Sequence, residues 1–231
     1  MEKENNKLKG AFVERDLSWM YFNHRILQEA EKKDIPVLER MTFLGIYSNN
    51  LDEFFRVRIA SLNRIAQSKD KTLKNDRERA KRTIKDINHL NSCYNKEFEK
   101  AVQEITEELE QKGIRLLHEN QLNDEQKDFI QRFYLEKLNG STNPIWLSQI
   151  KEIGATADDG IFLAIKRMEW IEGKKKPKTD YALIAMPDKE IGRFVRLPKS
   201  DEKENIMFLD DVIRYCLPMI FVGSGNCTYE A

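Results

Sequence analysis

A long amphipathic helix is the strongest constraint that this sequence places on its fold. Between residues 84 and 109, apolar side chains recur at spacings of three and four positions, which places them on one side of an α-helix. They are Ile84, Ile87, Leu90, Tyr94, Phe98, Ala101, Ile105 and Leu109. Gly113 follows and suits the left-handed conformation that ends many helices. Such a stripe needs a cover, and its mixture of aromatic and small residues favours packing on neighbouring helices over a regular coiled coil.

Two shorter helices are predicted before this one. The first has its apolar residues on one face, and either Ser18 or Asp16 could cap it. The second starts at Pro36, a residue that suits the first helical turn. It is apolar over most of its circumference as far as Ile46, so we expect it to be central and buried.

A polar break comes after the second helix. Ser48, Asn49 and Asn50 are residue types that compete for backbone hydrogen bonds and favour caps and turns. Asn50, with Glu53 three positions later, fits the N-cap of a third helix, whose free backbone N–H groups attract anions or polar ligand edges. An asparagine side chain can donate and accept hydrogen bonds at once. Asn50 is therefore a candidate ligand-binding residue, with Ser48, Asn49 and Arg56 as supporting candidates, and an ordinary helix cap is the alternative.

The second half of the chain mixes strands and helices. The strand-like apolar runs are residues 161–167, 181–186 and 193–197. Between the first two runs, the lysine-rich segment 172–178 is typical of an exposed hairpin connection. Asn123 is placed to cap one helix, and a last helix is predicted from Asp210. Residues 223–231 show no periodic closure, which would suit a chain that stops within a domain.

These patterns predict an α+β fold that is mainly α. Residues 1–112 are expected to form a bundle of antiparallel helices. Residues 113–231 are expected to form a smaller α+β domain that is incomplete at its C-terminus.

Composition excludes several classes of protein. Lys+Arg and Asp+Glu both number 39, and this zero net charge argues against general nucleic-acid binding, which needs a basic surplus. No apolar run approaches the roughly 20 residues of a membrane-spanning helix, and the polar start has no signal-peptide core. The three scattered cysteines are typical of reduced thiols. We therefore expect a cytoplasmic location and no transmembrane segment.

Residues that could carry chemistry are scarce. His24, His89 and His118 are far apart in the sequence, and the cysteines lack metal-ligand spacing. The chain has no GxxxxGKS or GxxxxGKT phosphate loop and no GxGxxG motif. The sequence therefore predicts no catalytic residue and no metal site within this chain.

Two long blocks nevertheless carry a distinctive pattern. Residues 14–30 read ERDLSWMYFNHRILQEA, and residues 36–55 read PVLERMTFLGIYSNNLDEFF. Together they resemble the opening motifs of bacterial polyphosphate kinases of the type built around phospholipase-D-like domains. A weaker resemblance, to the head domain of that family, runs from Gly113 to Tyr215.

The resemblance implies a function for the chain. Such kinases reversibly transfer the terminal phosphate of ATP to polyphosphate through a phosphohistidine, so the expected partners are ATP, ADP and polyphosphate. The helical N-terminal domain would cover one side of the nucleotide, with Asn50 contacting ATP, and the head domain would form a homo-oligomer. The phosphohistidine and the ligands of the expected Mg²⁺ would belong to downstream domains that this chain lacks. The isolated chain would therefore be inactive.

A second hypothesis comes from a different class of function. The stripe between residues 84 and 109 could instead serve a non-catalytic helical module that oligomerises or binds a partner without a nucleotide. Sedimentation and nucleotide titration would distinguish the two hypotheses, since oligomerisation without detectable ATP binding would favour the module.

Overall fold

A computed structural model describes residues 13–150, 160–221 and 227–231 of the chain. The chain divides into two compact units, Met1–Leu109 and Glu110–Ala231. The first unit is helical and the second combines helices with two sheets. The chain is therefore mainly α with a smaller α+β part, as the sequence predicted.

Helix α1 (Arg15–Glu31) begins earlier than the sequence predicted. Its N-cap is Glu14, whose Oε2 accepts hydrogen bonds from the backbone N–H groups of Asp16 at 2.7 Å and Leu17 at 3.4 Å. The prediction of Ser18 or Asp16 as the cap was wrong, because Asp16 is instead bonded to an arginine of another helix.

Helix α2 (Val37–Phe54) runs without interruption through the two asparagines. The predicted break at residues 48–50 and the N-cap at Asn50 were therefore wrong. The irregularity lies further on, in a π-helical turn at Phe55–Ile59, after which helix α3 covers Ala60–Gln67. Asn50 stays helical because its side chain bonds to a neighbouring helix and does not compete with its own backbone.

Helix α4 (Lys74–Gln111) is the long amphipathic helix that the sequence predicted, and it comes after a short 3₁₀ turn at Lys71–Leu73. The members of the stripe that are buried are Ile87, Tyr94, Ala101, Ile105 and Leu109. Gly113 lies beyond the helix with φ +88°, which confirms its role as the left-handed terminator. The stripe is thus covered within the chain.

Contacts between helices define the direction of the bundle. Arg40 near the start of α2 bonds the Ala30 carbonyl near the end of α1, and Asn50 near the end of α2 bonds Asn23 in α1. These pairings make α1 and α2 antiparallel. Arg40 also bonds Glu108 near the end of α4, and Tyr47 further along α2 stacks on Phe98 earlier in α4, so α2 and α4 are antiparallel as well. The predicted antiparallel arrangement is confirmed for these two helix pairs.

One face of α2 is exposed, contrary to the prediction that this helix is buried over most of its circumference. Leu38, Met41 and Ile46 are 62%, 38% and 42% exposed, whereas Leu44 and Tyr47 on the opposite face are buried. The sequence could not reveal this, because α2 has apolar residues on the face that α1 and α4 leave uncovered.

The second unit contains two small sheets. In the first, β1 (Ile114–Leu117) is parallel to β6 (Lys203–Phe208), which is antiparallel to β5 (Phe194–Ser200). The second sheet is antiparallel, in the order β2 (Ile145–Trp146), β4 (Lys178–Ala185), β3 (Phe162–Glu169) and β7 (Cys227–Glu230). The helices are α5 (Asp124–Phe133), continued by a π-helical turn at Tyr134–Leu138, a short α6 (Asp188–Ile191) and α7 (Leu209–Ile220).

Several predictions for this unit are confirmed. The three predicted runs overlap β3, β4 and β5, and the lysine-rich segment connects β3 to β4. Asn123 forms a capping box with Gln126 at the start of α5, and α7 begins at Leu209. Strands β1, β2, β6 and β7 were not predicted. Of the terminal segment, residues 222–226 lie outside the described residues.

One apolar cluster forms the core of the second unit. It takes side chains from both sheets and from α5 and α7, including Ile130, Ile165, Ile184 and Ile213, each fully buried or nearly so. Cys216 lies in this cluster, and burial raises the pKa of its thiol to about 12. Water is thus excluded from the centre of the unit. Among the helices that the structure describes, none is both long and apolar enough to cross a membrane.

Candidate functional site

A groove of about 440 Å³ opens on the helical unit, between the first half of α1 and the end of α2 with its π-helical turn. Its walls include Asp16, Trp19, Phe22, Asn50, Phe54 and Arg58. Of the four predicted site residues, Asn50 alone lines this groove. Ser48 and Asn49 are exposed elsewhere on α2, and Arg56 is an exposed residue paired with Asp52 at 3.1 Å.

Aromatic side chains form the floor of the groove. The rings of Trp19 and Phe54 stack at a centroid distance of 4.1 Å and an interplanar angle of 3°. Phe54 is buried and holds the half-buried indole in place. Beside them, Phe22 and Val57 are 58% and 56% exposed although both are apolar. This wall can cover the face of a flat ring.

An ion pair between a buried carboxylate and a partly exposed guanidinium lines the groove. The Arg58 guanidinium donates to both carboxylate oxygens of Asp16, from Nε at 2.9 Å and from Nη2 at 3.0 Å. Asp16 is 3% exposed, and its hydrogen bond raises the pKa of Arg58 above its usual value. The π-helical turn contains Arg58 and lies on the groove, and such wide turns are frequent at functional sites. A second groove, of about 250 Å³, also includes this pair in its lining.

A chain of amides holds Asn50. Asn23, which is completely buried, donates from Nδ2 to the Tyr47 backbone carbonyl at 3.1 Å. Asn50 Nδ2 donates to Asn23 Oδ1 at 3.2 Å. Asn50 itself is half-buried and lines the groove. The polar edge of the site is therefore positioned by the neighbouring helix, and not by the free N–H groups of a helix N-terminus.

The charges around the groove are mixed. Arg15 lines it with a side chain that is 73% exposed, and the exposed Glu53 lines it as well. The Asp16–Arg58 pair is neutral in total. This balance does not resemble the concentrated positive charge of a site for a bare anion. The arrangement suits a flat ring with polar edges that carries a charged group towards solvent.

The histidines lie away from this groove. His24 Nε2 is 2.6 Å from Glu97 Oε2, and its ring stacks on Tyr94 at 3.9 Å. His89 is exposed on α4. None of the three histidines of the sequence, all of which are described, lines the groove.

A separate polar cluster in the second unit includes the third histidine. His118 Nδ1 is 3.0 Å from Asp211 Oδ2, and Glu119 lies close by. The sequence did not predict this convergence, since 93 residues separate the partners. Arg214 binds the other oxygen of Asp211, so both oxygens of this buried carboxylate are engaged. The cluster is an ion-pair network that joins the end of β1 to the first turn of α7.

Sequence reasoning missed most of the groove. Asp16 was predicted as a cap, and Trp19, Phe22 and Asn23 entered only as parts of the first amphipathic helix and of the block 14–30 that carries the family resemblance. The one local signal was the dense run of polar residues between positions 48 and 58, which includes Asn50.

Comparison with known proteins adds two family matches. The model described as "Polyphosphate kinase N-terminal domain" matches residues 12–117, and "Polyphosphate kinase middle domain" matches residues 125–229. Together these matches cover nearly all of the chain.

Individual relatives agree with these matches. A polyphosphate kinase from Vibrio parahaemolyticus is 33% identical over 218 residues, and one from Escherichia coli K12 is 34% identical over 215 residues. Each alignment covers 92% of this chain and 30% of the relative, so the chain spans about a third of their length. The crystal structure of polyphosphate kinase from Porphyromonas gingivalis aligns with a TM-score of 0.78 at 27% identity, covering 94% of this chain and 32% of that one.

Proposed function

Because the chain belongs to the polyphosphate kinase family, we propose that it forms the part of an ATP:polyphosphate phosphotransferase that contacts the nucleotide. The complete enzyme would reversibly transfer the terminal phosphate of ATP to polyphosphate. The observation that carries the proposal is the position of Asn50, whose amide lies in a groove with aromatic walls. A nucleotide base needs both an apolar face and a polar edge for recognition, and this groove combines them.

The phosphoryl-transfer step itself is assigned to residues outside this chain. Transfer through a phosphohistidine needs a histidine beside the nucleotide, and none of the three histidines lines the groove. We therefore propose that the phosphohistidine is supplied by another part of the enzyme. The chain alone would bind the nucleotide weakly and would not turn it over.

Magnesium is expected with ATP, but the groove does not fit it. Mg²⁺ prefers carboxylate oxygens together with substrate phosphates and water. Both oxygens of Asp16 are already bonded to Arg58, and the other carboxylate that lines the groove, Glu53, is a single exposed side chain, which does not make a site for the ion on its own. The Mg²⁺ that accompanies ATP is therefore proposed to be held by residues outside this chain.

Saturation-transfer difference NMR with millimolar ATP tests the proposal. The chain is expected to give a saturable signal from the adenine protons, and Asn50→Ala is expected to weaken binding about tenfold by removing one hydrogen bond to the ligand. Asn63→Ala, which changes an exposed asparagine on α3, is the matched control. Absence of any ATP signal from the folded chain would refute the nucleotide role, and polyphosphate synthesis by the chain would refute the assignment of catalysis elsewhere.

Self-association through the second unit is the other part of the proposal. It rests on the family resemblance of this unit to a head domain, and sedimentation velocity measures it directly.

The rival hypothesis, a helical module that works without a nucleotide, was motivated by the stripe between residues 84 and 109. Since α4 buries that stripe within the first unit, the observation no longer favours the module.

A further inference from the structure

The orientation of the Asn50 amide can be derived from its neighbours. The Tyr47 backbone carbonyl accepts a hydrogen bond from Asn23 Nδ2, and a carbonyl oxygen cannot donate. Asn23 is fully buried and must therefore keep its Nδ2 towards Tyr47 and its Oδ1 towards Asn50. Flipping the Asn23 amide would place its oxygen against the carbonyl oxygen at 3.1 Å.

The same reasoning then determines the orientation of the Asn50 side-chain amide. Asn23 Oδ1 can only accept, so Asn50 must present its Nδ2 to it, at 3.2 Å. A flipped Asn50 would oppose two acceptor oxygens. Its own Oδ1 has no hydrogen-bond partner in the part of the chain that the structure describes, and it is not sealed from solvent. Because Asn50 lines the groove, its Oδ1 is a hydrogen-bond acceptor in the groove, and the contact with Asn23 sets its orientation.

An acceptor of this kind selects among the parts of a nucleotide. Phosphate oxygens are acceptors too and gain nothing from it, so the donors that remain are the ribose hydroxyls and an amino group of the base. Of these, the base also matches the apolar wall beside Asn50. The 6-amino group of adenine is a donor next to a ring nitrogen acceptor, and an asparagine amide matches that edge through its oxygen and its second N–H. Guanine and hypoxanthine carry a carbonyl oxygen at the same position and would face the Asn50 oxygen with like polarity.

We propose that Asn23 is a positioning residue that holds the Asn50 amide so that its oxygen accepts a hydrogen bond from the 6-amino group of adenine. The inference rests on the proposed nucleotide function and adds to it the chemical edge that is read. Phe22 and Val57, both exposed in the same groove, lie where they can cover the face of the base. Asn23 acts only through Asn50, since it is fully buried.

Competition between ATP and inosine triphosphate tests the inference. Inosine triphosphate differs from ATP at the base, where a carbonyl replaces the 6-amino group. By titration with each nucleotide, monitored by saturation-transfer NMR, the chain is expected to bind ATP about tenfold more tightly than inosine triphosphate. Equal affinity for the two would overturn the inference but leave the nucleotide function intact. If neither nucleotide binds, the proposed function fails and the inference fails with it.

Variants separate a positioning role from a structural one. Asn23→Ala frees the Asn50 amide to rotate, and the affinity ratio of ATP to inosine triphosphate is expected to fall to within about twofold of one, while inosine triphosphate still binds. A general loss of stability would lower both affinities and leave their ratio unchanged. Asn63→Ala is expected to keep the full ratio.

A second variant keeps the test decisive if Asn23→Ala does not fold. Asn50→Ala removes the discriminating amide at a half-buried position, and its affinity ratio is expected to approach one as well. Full retention of the ratio in a folded Asn50→Ala variant would overturn the assignment of the adenine edge. Full retention in a folded Asn23→Ala variant would overturn the positioning role of Asn23.

Discussion

In the helical unit, buried polar side chains join helices that are far apart in the sequence, whereas in the α+β unit several of them bond the backbone nearby. Asp16 in α1 binds Arg58 from 42 residues further along the chain. Arg40 in α2 reaches across 68 residues to Glu108 and also bonds the Ala30 carbonyl. The Asp16–Arg58 link lines the candidate groove, whereas Arg40 lies near the other end of α2 and joins it to α1 and α4.

The α+β unit contains local as well as distant buried polar contacts, since Asp211 bonds His118 across 93 residues and Gln126 donates to the Pro198 carbonyl across 72. Thr142 Oγ1 donates to the Leu138 carbonyl four residues before it. Asn205 Nδ2 donates to the Pro198 carbonyl across the neighbouring strand, seven residues away. Apolar packing in one cluster accounts for the rest of its interior. The difference between the units is therefore one of degree: two long-range polar contacts of the helical unit, Asp16–Arg58 and Asn23–Asn50, lie where a ligand is proposed to bind, whereas the interior of the α+β unit is mostly apolar.

The largest change in the free energy of unfolding is expected when a side chain of the apolar cluster is truncated. Ile213→Ala removes a fully buried side chain of α7 and should lower the free energy of unfolding by about 2–5 kcal/mol through lost burial and a cavity. Urea denaturation monitored by tryptophan fluorescence measures this. Ile171→Ala, at a position that is 38% exposed, should cost less than about 1 kcal/mol. Similar costs for the two variants would contradict a core held by one cluster.

The next largest change in the free energy of unfolding is expected when a polar contact between helices is removed. Arg40→Met keeps most of the side-chain volume but loses the hydrogen bonds to Ala30 and Glu108, so unfolding should become easier by about 1–3 kcal/mol. The figure stays below that of a fully buried pair because the Glu108 side chain is 30% exposed. Arg64→Met, at an exposed position of α3, is the matched control. A stable Arg40→Met variant would show that packing alone holds the helical unit.

Substitution of two glycines by alanine is expected to change the stability in opposite directions. Gly113→Ala should destabilise by about 1–2 kcal/mol, because φ is +88° and an L side chain is strained there even though its Cβ would meet no atom within 4 Å. Gly45→Ala, inside α2 and also without a nearby atom, should stabilise by up to about 1 kcal/mol through helix propensity. Thermal unfolding of both variants is the measurement, and equal signs would contradict the assignment of Gly113 as a terminator.

The smallest change in stability is expected when an exposed ion pair is removed. Hydrogen bonds from Lys203 and Arg115 lower the pKa of Glu110, so the carboxylate adds stability above its unfolded-state pKa and loses it as pH falls through the lowered folded-state pKa. Glu110→Gln should therefore differ slightly from the wild type near neutral pH and match it in strong acid. Unfolding measured at both pH values tests this. Glu136→Gln, which changes an exposed glutamate, should show no such change.

The sequence predicted those parts of the fold that carry a local signal. The stripe of α4, the glycine after it and the Asn123 cap are all defined by residues within a few positions of one another. Strand β6 was missed because its first residues are charged and its partners, β1 and β5, are set by long-range pairing. The exposed face of α2 was missed because apolar periodicity does not say which faces other helices will cover.

For the candidate site, the sequence and the family resemblance identified Asn50 but not its surroundings. Asn23 and Asn50 are 27 residues apart, and no spacing rule links two asparagines on different helices. The predicted reason for choosing Asn50, a helix N-terminus, was wrong, although the residue does line the groove. The amide was therefore found through its type and its motif, and its orientation only through the fold.

The π-helical turn at Phe55–Ile59 makes the number of residues in this segment matter, and not only their identity. Each residue of a regular helix advances the side-chain direction by about 100°, and the wide turn accommodates one extra residue. Deleting any one of the five residues would let the turn tighten into regular helix and would rotate α3 relative to α2. Arg58 would then point away from Asp16, so a deletion in the turn should cost more than a substitution at an exposed position of it, such as Arg56.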